Sequence, residues 1–484
     1  MILIVVLMLA ATAGLIGQIG DSKEPLRSDT PVRIPARIAY TTHSPISITG
    51  NEGFTNESGV VWGSGTPSDP YIIEGWDINA SAANGIEIWN ADAHFIVRTC
   101  YLYDGRSDYH SGIELVGCAN ATLDSNTCWN NSNGIYLHSS GSCRLINNTC
   151  SSNYDNGIIL YLSSGNTVID NTCLDNWDSI HLYSSSNNSL SDNLFGSNHD
   201  HSLYLDDSND NTLSNNTCLN NGESGVLLSS SNGNNITGNL IRDSRTYGIF
   251  INSGSYNKVW NNTCSNNSDG MYLRYSNNNT LVNNTCSNNG CGIYLEESTD
   301  NTLSNNNCSN NVYYGIELVS SSNNTICNNT CCSNNEWGIG LGSSSNSTIS
   351  GNQLCSNLGY GVYIYSGSDN MIWNNTFIDN NGAGSTYDPS YLQAYDGGAN
   401  NWWNSTDGYG NYWSDWTTPD ANSDGIVDLP YAIDGSAGAM DYYPLTTTPS
   451  EPIPEFGMMP LVVMVFLVAV FLMAGARRRK SLLS

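Results

Sequence analysis

An all-β fold, a right-handed parallel β-helix (solenoid) of about 13 coils, follows from three regularities in this chain. The first is a Gly-apolar-x-apolar unit at Gly85-Ile86-Glu87-Ile88, Gly112-Ile113-Glu114-Leu115, Gly134-Ile135-Tyr136-Leu137 and Gly157-Ile158-Ile159-Leu160. It opens again at Ser179, Ser202, Gly225, Gly248, Gly270, Gly292, Gly315, Gly338 and Gly361, and after a first interval of 27 residues every step is 22 or 23. The second is a column with the same step: Cys100, Cys128, Cys150, Cys173, Phe195, Cys218, Ile241, Cys264, Cys286, Cys308, Cys331, Leu354 and Phe377. The third is an apolar position between the two, as at Leu213, Leu281 and Leu303.

Each apolar-x-apolar tripeptide has the period of two that places alternate residues on one face of a strand. Asn, Ser and Gly bound it, and these residues tolerate tight turns and left-handed backbone. A coil of this length cannot bury its apolar face alone, but stacked coils build a continuous core with rungs about 4.8 Å apart. A leucine-rich solenoid would need a helical half-repeat, which these units lack.

The composition of the 484 residues excludes other classes. Only 12% are charged, too few for a coiled coil, and 39% are hydrophobic, too many for simple disorder. With 44 acidic against 15 basic residues and a net charge of −29, no basic surface exists to release phosphate counterions, so nucleic acid is not an expected partner. Nine of the 15 cysteines fall in the column where Phe, Ile and Leu substitute for them, which marks an inward core slot for free thiols. Stacked rungs point neighbouring Cβ atoms the same way, poor geometry for a disulfide, and the apolar substitutes argue against a metal column. Cys118, Cys143, Cys291, Cys327, Cys332 and Cys355 lie off the column, where a local disulfide stays open.

Taken from the N-terminus, residues 1–13 are expected to be a signal peptide: Ile2 to Ala10 is apolar and Ala11-Thr12-Ala13 offers a cleavage site, although no Lys or Arg precedes the run. Residues 14–70 form an N-terminal segment and cap, and 71–395 the repeats. Residues 396–446 form a cap in which Trp402, Trp403, Tyr412, Trp413 and Trp416 plug the open end. A Pro-rich spacer, 447–457, leads to a transmembrane helix at 458–476. The basic tail at 477–484, with Arg477 to Lys480, is expected in the cytoplasm, so the body faces outward from the plasma membrane. Asn-Asn-Thr at Asn147, Asn215, Asn261, Asn278, Asn283, Asn323, Asn328 and Asn374 reads both as glycosylation acceptor and as a stacked amide ladder, with the ladder favoured for most.

The middle residue of each repeat unit points outward. Glu114, Tyr136, Tyr204, Phe250, Tyr272, Tyr294, Glu317 and Tyr363 therefore form a column of aromatics and carboxylates able to stack sugar rings and bind their hydroxyls. Equally, Tyr is a favoured strand residue on any half-exposed face. For catalysis the best patch is Asp178, His181, Asp206 and Asp207, together with His199, Asp200, His201 and Tyr204; carboxylates near a His suit a hydrolase needing an acid and a base. Asp420-x-Asn422-x-Asp424-Gly425-Ile426-x-Asp428 alternates oxygen ligands as the front of a calcium loop does, with Tyr431 where a closing Glu would stand. An Asx-rich connector is the competing reading.

Gly65-Thr66-Pro67-Ser68-Asp69-Pro70-Tyr71-Ile72-Ile73-Glu74-Gly75-Trp76, Gly410-Asn411-Tyr412-Trp413-Ser414-Asp415-Trp416 and Asp441-Tyr442-Tyr443-Pro444-Leu445 flank the repeats. Together these resemble archaeal NosD-like parallel β-helix surface proteins over roughly residues 45 to 446. The resemblance implies the fold, and it connects the chain to a namesake described as a copper-binding accessory protein and to β-helix modules of carbohydrate-binding and sugar-hydrolysis type. Copper is disfavoured because the seven His are scattered. Pro454-Glu455-Phe456-Gly457, the apolar span and the basic tail resemble tripartite C-terminal sorting signals of archaeal surface proteins, which implies cleavage and re-anchoring.

The expectation is a membrane-anchored cell-surface glycoprotein that binds a polysaccharide or surface glycan, or serves a structural or adhesive role. A polysaccharide hydrolase or lyase is the alternative, a copper-handling protein the second. Calcium is the candidate cofactor, and lateral self-association of solenoids is left open.

Overall fold

A computed structural model describes residues 40–449. The segments expected to be signal peptide, sorting motif, membrane span and basic tail lie outside the described residues. Among the described residues no helix is long and apolar enough to cross a membrane.

The chain winds as a right-handed parallel β-solenoid with three short strands per coil, for example Thr167–Ile169, Thr172–Leu174 and Asp178–Tyr183. A long sheet of 15 strands forms one face and a second sheet of 14 the next. The third face carries 11 strands and then four more, joined through single bridges around Asn307. Each of the thirteen predicted repeat units supplies one strand of the long sheet, and Ile46–Thr49 and Ala394–Asp396 extend it at either end. The solenoid therefore starts before the expected boundary at 71. It also runs past 395, because Tyr412–Trp413 still pairs with Thr376–Ile378. Residues 51–70 loop over the N-terminal end, where Phe54 stacks on Tyr71 at 4.7 Å.

Inward columns hold their chemistry from coil to coil. Ile135, Ile158 and Ile180 stand in register, as do Leu137, Leu160 and Leu182, all fully buried. The repeat glycine sits where the chain turns into the long sheet. A Cβ on Gly270 would lie 2.5 Å from the Gly292 carbonyl oxygen and 2.9 Å from the Cys286 Cβ, so no larger residue fits without movement.

The cysteine column is inward and buried from Cys128 onward, with one correction: Leu102, not Cys100, pairs with Cys128. The corner at 90–94 is one residue longer than its counterpart at 117–120, and most of the slack at 104–112 follows Cys100, so Cys100 stands in the corner before the column, where its N–H donates to Asn126 Oδ1 (3.1 Å). Burial pushes the Cys218 thiol up to about 12. The local disulfide left open among the off-column cysteines is present. Cys332 and Cys355 are register partners on adjacent rungs of the third sheet with Cα atoms 4.5 Å apart, and they are bridged. The pair stands off the core column, to which the stacking argument applies, and the other thirteen cysteines are buried thiols.

Asparagine divides its labour within each Asn-Asn-Thr. The first residue, such as Asn147 or Asn215, is exposed and takes the left-handed turn conformation, with φ of 54° and 55°. The second is buried and forms the ladder. Asn216 Oδ1 accepts from the Asn193 backbone N–H (3.1 Å) and its amide (2.9 Å), while the Asn216 amide donates to the Leu190 carbonyl (3.0 Å) and to Asn239 Oδ1 (3.0 Å). The expected ladder is thus real but one residue further along than the glycosylation-type positions.

At the C-terminal end Phe377, Trp413 and Tyr431 stack at 4.1 and 4.0 Å over the last coil, with Trp403 buried beside them. Trp402, expected in the plug, is 58% exposed.

Candidate functional site

The long sheet presents its outer face as three parallel rows. Register pairing confirms the middle row in full, from Glu87 and Glu114 through Tyr136, Ile159, His181, Tyr204, Leu227, Phe250, Tyr272, Tyr294, Glu317 and Gly340 to Tyr363 and Tyr395. On one side, two residues further along each strand, lie His138, Tyr161, Tyr183, Asp206, Asn252, Arg274 and Glu296. On the other, immediately before each repeat glycine or serine, lie Asp178, His201, Tyr247, Asp269, Cys291, Tyr314, Trp337 and Tyr360.

Apart from Asp178 and His201, named in the catalytic patch, that last row was not predicted. Its signal was available, because Tyr247, Tyr314, Trp337 and Tyr360 each directly precede the repeat glycine. The period-two rule excluded it, since each of its residues lies three positions, an odd number, before the outward middle row.

The rings lie against one another. Phe250 and Tyr272 stack at 4.9 Å with planes 7° apart, and Tyr294 follows at 5.2 Å. A second run passes from Tyr314 to Trp337 (4.5 Å), Tyr363 (4.5 Å) and Tyr395 (4.8 Å). Rung spacing close to ring-stacking distance makes this arrangement favourable. It also corrects an expectation: ring faces inside these stacks are covered, and Tyr272 is only 7% exposed.

Carboxylates sit among the rings. Glu317 is 8% exposed and accepts from Trp337 Nε1 (2.7 Å). Both side chains fill the space above Gly340, where a Cβ would lie 1.8 Å from Glu317 Oε2. Burial raises the Glu317 carboxyl to about 7. Tyr272 donates its hydroxyl to Glu296, whose Oε2 also lies 3.5 Å from Arg274 Nε. Asn84 donates to Glu114 (2.8 Å), which burial shifts upward.

The predicted catalytic patch is partly assembled. Asp178, Asp200 and His201 bring ligand atoms within 4.8 Å of one another, the only such set among the described residues. Asp178 is buried, accepts from the His201 backbone N–H (2.8 Å) and is raised by burial to about 7. His181 stacks on Tyr204 at 4.4 Å, and burial lowers it to about 4. Asp206 stands in a different row, paired with Tyr183, and Asp207 is an exposed corner residue with φ 48°. His201 Nδ1 accepts the Ser224 backbone N–H (3.1 Å), which fixes the ring proton on Nε2, the nitrogen facing Asp200 at 3.6 Å. A metal at Nε2 needs that lone pair, so these residues do not fit a copper centre in this arrangement.

The Asp420–Asp428 loop is exposed and ringed by its own backbone. Asp420 accepts from the N–H of Asp424 (3.2 Å) and Gly425 (3.1 Å), Asp424 from that of Ile426 (2.9 Å), and Asp428 from that of Ala421 (2.7 Å).

An extended, rigid face lined with aromatics and carboxylates on a parallel β-solenoid defines the class of protein. The family described as periplasmic copper-binding protein (NosD) matches residues 36–176, 110–269 and 261–418, and the chain belongs to that family. No curated protein matches it significantly. Among solved structures, an alginate lyase of type PL6 in complex with a trisaccharide is similar at 13% identity and TM-score 0.44, over 71% of this chain and 86% of that one. A double mutant of the periplasmic alginate epimerase AlgG is similar at 16% identity and TM-score 0.40, over 61% and 75%. PfbA, a surface adhesin of Streptococcus pneumoniae, is similar at 11% identity and TM-score 0.38, over 59% and 85%.

Proposed function

We propose that this chain is a surface-displayed glycan-binding solenoid whose outer long-sheet face is the binding strip. One observation carries the reading: aromatic residues segregate to that face. Between residues 121 and 378 the outward strand positions of the other two sheets hold Trp129, Trp260 and Trp373 as their only aromatics among the described residues. Over the same span the outward strand positions of the long sheet hold Tyr136, Tyr161, Tyr183, Tyr204, Tyr247, Phe250, Tyr272, Tyr294 and Tyr363. Strand propensity would distribute aromatics over all three faces, so it does not account for this one.

The strip's charge selects the glycan class. Glu87, Glu114, Asp178, Asp206, Asp269, Glu296 and Glu317 line it against Arg274, within a chain of net charge −29. A polyuronate would meet like charge, whereas neutral sugar hydroxyls can donate to the accessible carboxylates among these and accept from phenol tips. Membrane attachment through residues 458–476 would hold the strip outside the cell.

Electrophoresis of the full chain through gels containing neutral polysaccharides or polyuronates, with product ends assayed in parallel, tests this reading. Retardation by a neutral polysaccharide without new ends supports it. New reducing or unsaturated ends would favour the hydrolase or lyase, and free migration in every gel would remove the reading.

Calcium in the Asp420–Asp428 loop is a separate proposal, supported by hard oxygen donors on Asp420, Asn422, Asp424 and Asp428 and by the Ile426 carbonyl. Millimolar calcium should raise Tm for the wild type and not for Asp424→Ala; an unchanged wild-type Tm would exclude it.

A further inference from the structure

The long first interval of the repeat builds something the regular coils lack. Residues 104–112 join strand Tyr101–Tyr103 to strand Ile113–Val116, whereas 130–134 suffice to join Thr127–Trp129 to Ile135–His138 one coil later. The extra residues form a short turn, Arg106–Asp108, that stands away from the corner. Between this turn and the next corners lies a cleft of about 620 Å³ lined by Ser81, Asp104, Arg106, Tyr109, Asn130 and Tyr154.

Three features give the cleft a chemistry. Tyr109 is 73% exposed, the highest value among the large hydrophobic side chains described, and its one ring neighbour, Tyr154, meets it edge-on at 6.4 Å. Unlike the rings of the strip, it keeps a face open to a ligand. Arg106 stacks over Tyr154 with Cζ 5.1 Å from the ring centroid and makes no ion pair among the described residues, so its guanidinium edge keeps N–H donors for a ligand. Asp104 is anchored by the Asn130 amide (2.7 Å) and supplies a carboxylate acceptor to the same cleft.

We propose that this cleft is a second carbohydrate site, distinct from the strip, that takes a neutral pyranose residue on the Tyr109 face. Arg106 and Asp104 receive its vicinal hydroxyls. Each hydroxyl both donates and accepts, which matches a fixed donor fork beside a fixed carboxylate, while a uronate would bring its own charge against Asp104. The cleft volume falls within the range of small-ligand sites. The inference rests on the glycan-binding reading for its ligand class, though not on the strip for its residues.

Calorimetric titration of the full chain in detergent with cellopentaose, mannopentaose and pentagalacturonate tests it. The variants are Tyr109→Ala, Arg106→Gln and, as a strip control, Trp337→Ala. We expect a neutral pentasaccharide to bind the wild type and to lose affinity at least tenfold in Tyr109→Ala and Arg106→Gln, with Tm unchanged because neither side chain packs into the core. If only Trp337→Ala weakens binding, the second site is overturned while the strip stands. If none of the three sugars binds, both fall, and if pentagalacturonate is the ligand that Arg106→Gln releases, the neutral-sugar assignment is wrong.

Discussion

Adjacent asparagines in one turn carry different loads. Asn216 satisfies buried groups on the rungs before and after it, whereas Asn215 is exposed and contributes a left-handed turn. Asn216→Ala leaves buried polar groups unpaired and should cost about 2–4 kcal/mol, while Asn215→Gly should change stability by less than about 1 kcal/mol. Urea unfolding of the two variants checks the contrast, and equal losses would contradict it. Glu317 makes a pH prediction. Its carboxyl is raised from an ordinary 4.5 to about 7, so the folded chain binds that proton more readily than the unfolded one. The stabilisation is complete below about pH 4.5 and is lost as pH rises through about 7. Glu317→Gln keeps an acceptor for Trp337 and removes the titration. Relative to wild type the variant should therefore gain on the order of 3 kcal/mol between pH 4.5 and 8. A stability difference that stays flat with pH would contradict the burial argument.

At the scale of the coil, the core columns were legible because stacking repeats one chemistry every 22 or 23 residues. Ile, Leu and Cys columns could be aligned without knowing the path of the chain. Two features resisted that logic. Cys100 was misplaced because inserted residues shift the register within the coil, and periodicity cannot say where the slack is taken up. The Tyr314–Trp337–Tyr360 row was missed because turn residues do not alternate, although the adjacent glycine marked it. The disulfide joins two of the off-column cysteines where the sequence left one open, but spacing alone did not say which pair would meet. Thiol accessibility tests the column directly. The thirteen cysteines other than Cys332 and Cys355 are buried, so native protein should label with none of them over minutes and unfolded protein with all thirteen. Rapid native labelling of any core-column cysteine would mean that the coils open locally.

The molecule as a whole separates scaffold from surface. Columns of apolar residues, buried amides and end caps account for the fold, and the same columns say little about function because they repeat on every rung. What distinguishes the faces is what breaks the repeat: aromatics gathered on one sheet, Glu317 above Gly340, and the inserted turn at Arg106–Asp108. The predicted strip residues were legible because outward positions follow from inward ones. Their stacking on each other was not, since it depends on side-chain packing between rungs. The most direct test of the glycan-binding strip is the dissociation constant for a retained neutral polysaccharide, measured on wild type and on the Tyr314→Ala, Trp337→Ala double variant. The strip predicts a loss of at least tenfold, measured at a temperature where both proteins remain folded. Equal affinity in the two proteins would contradict it.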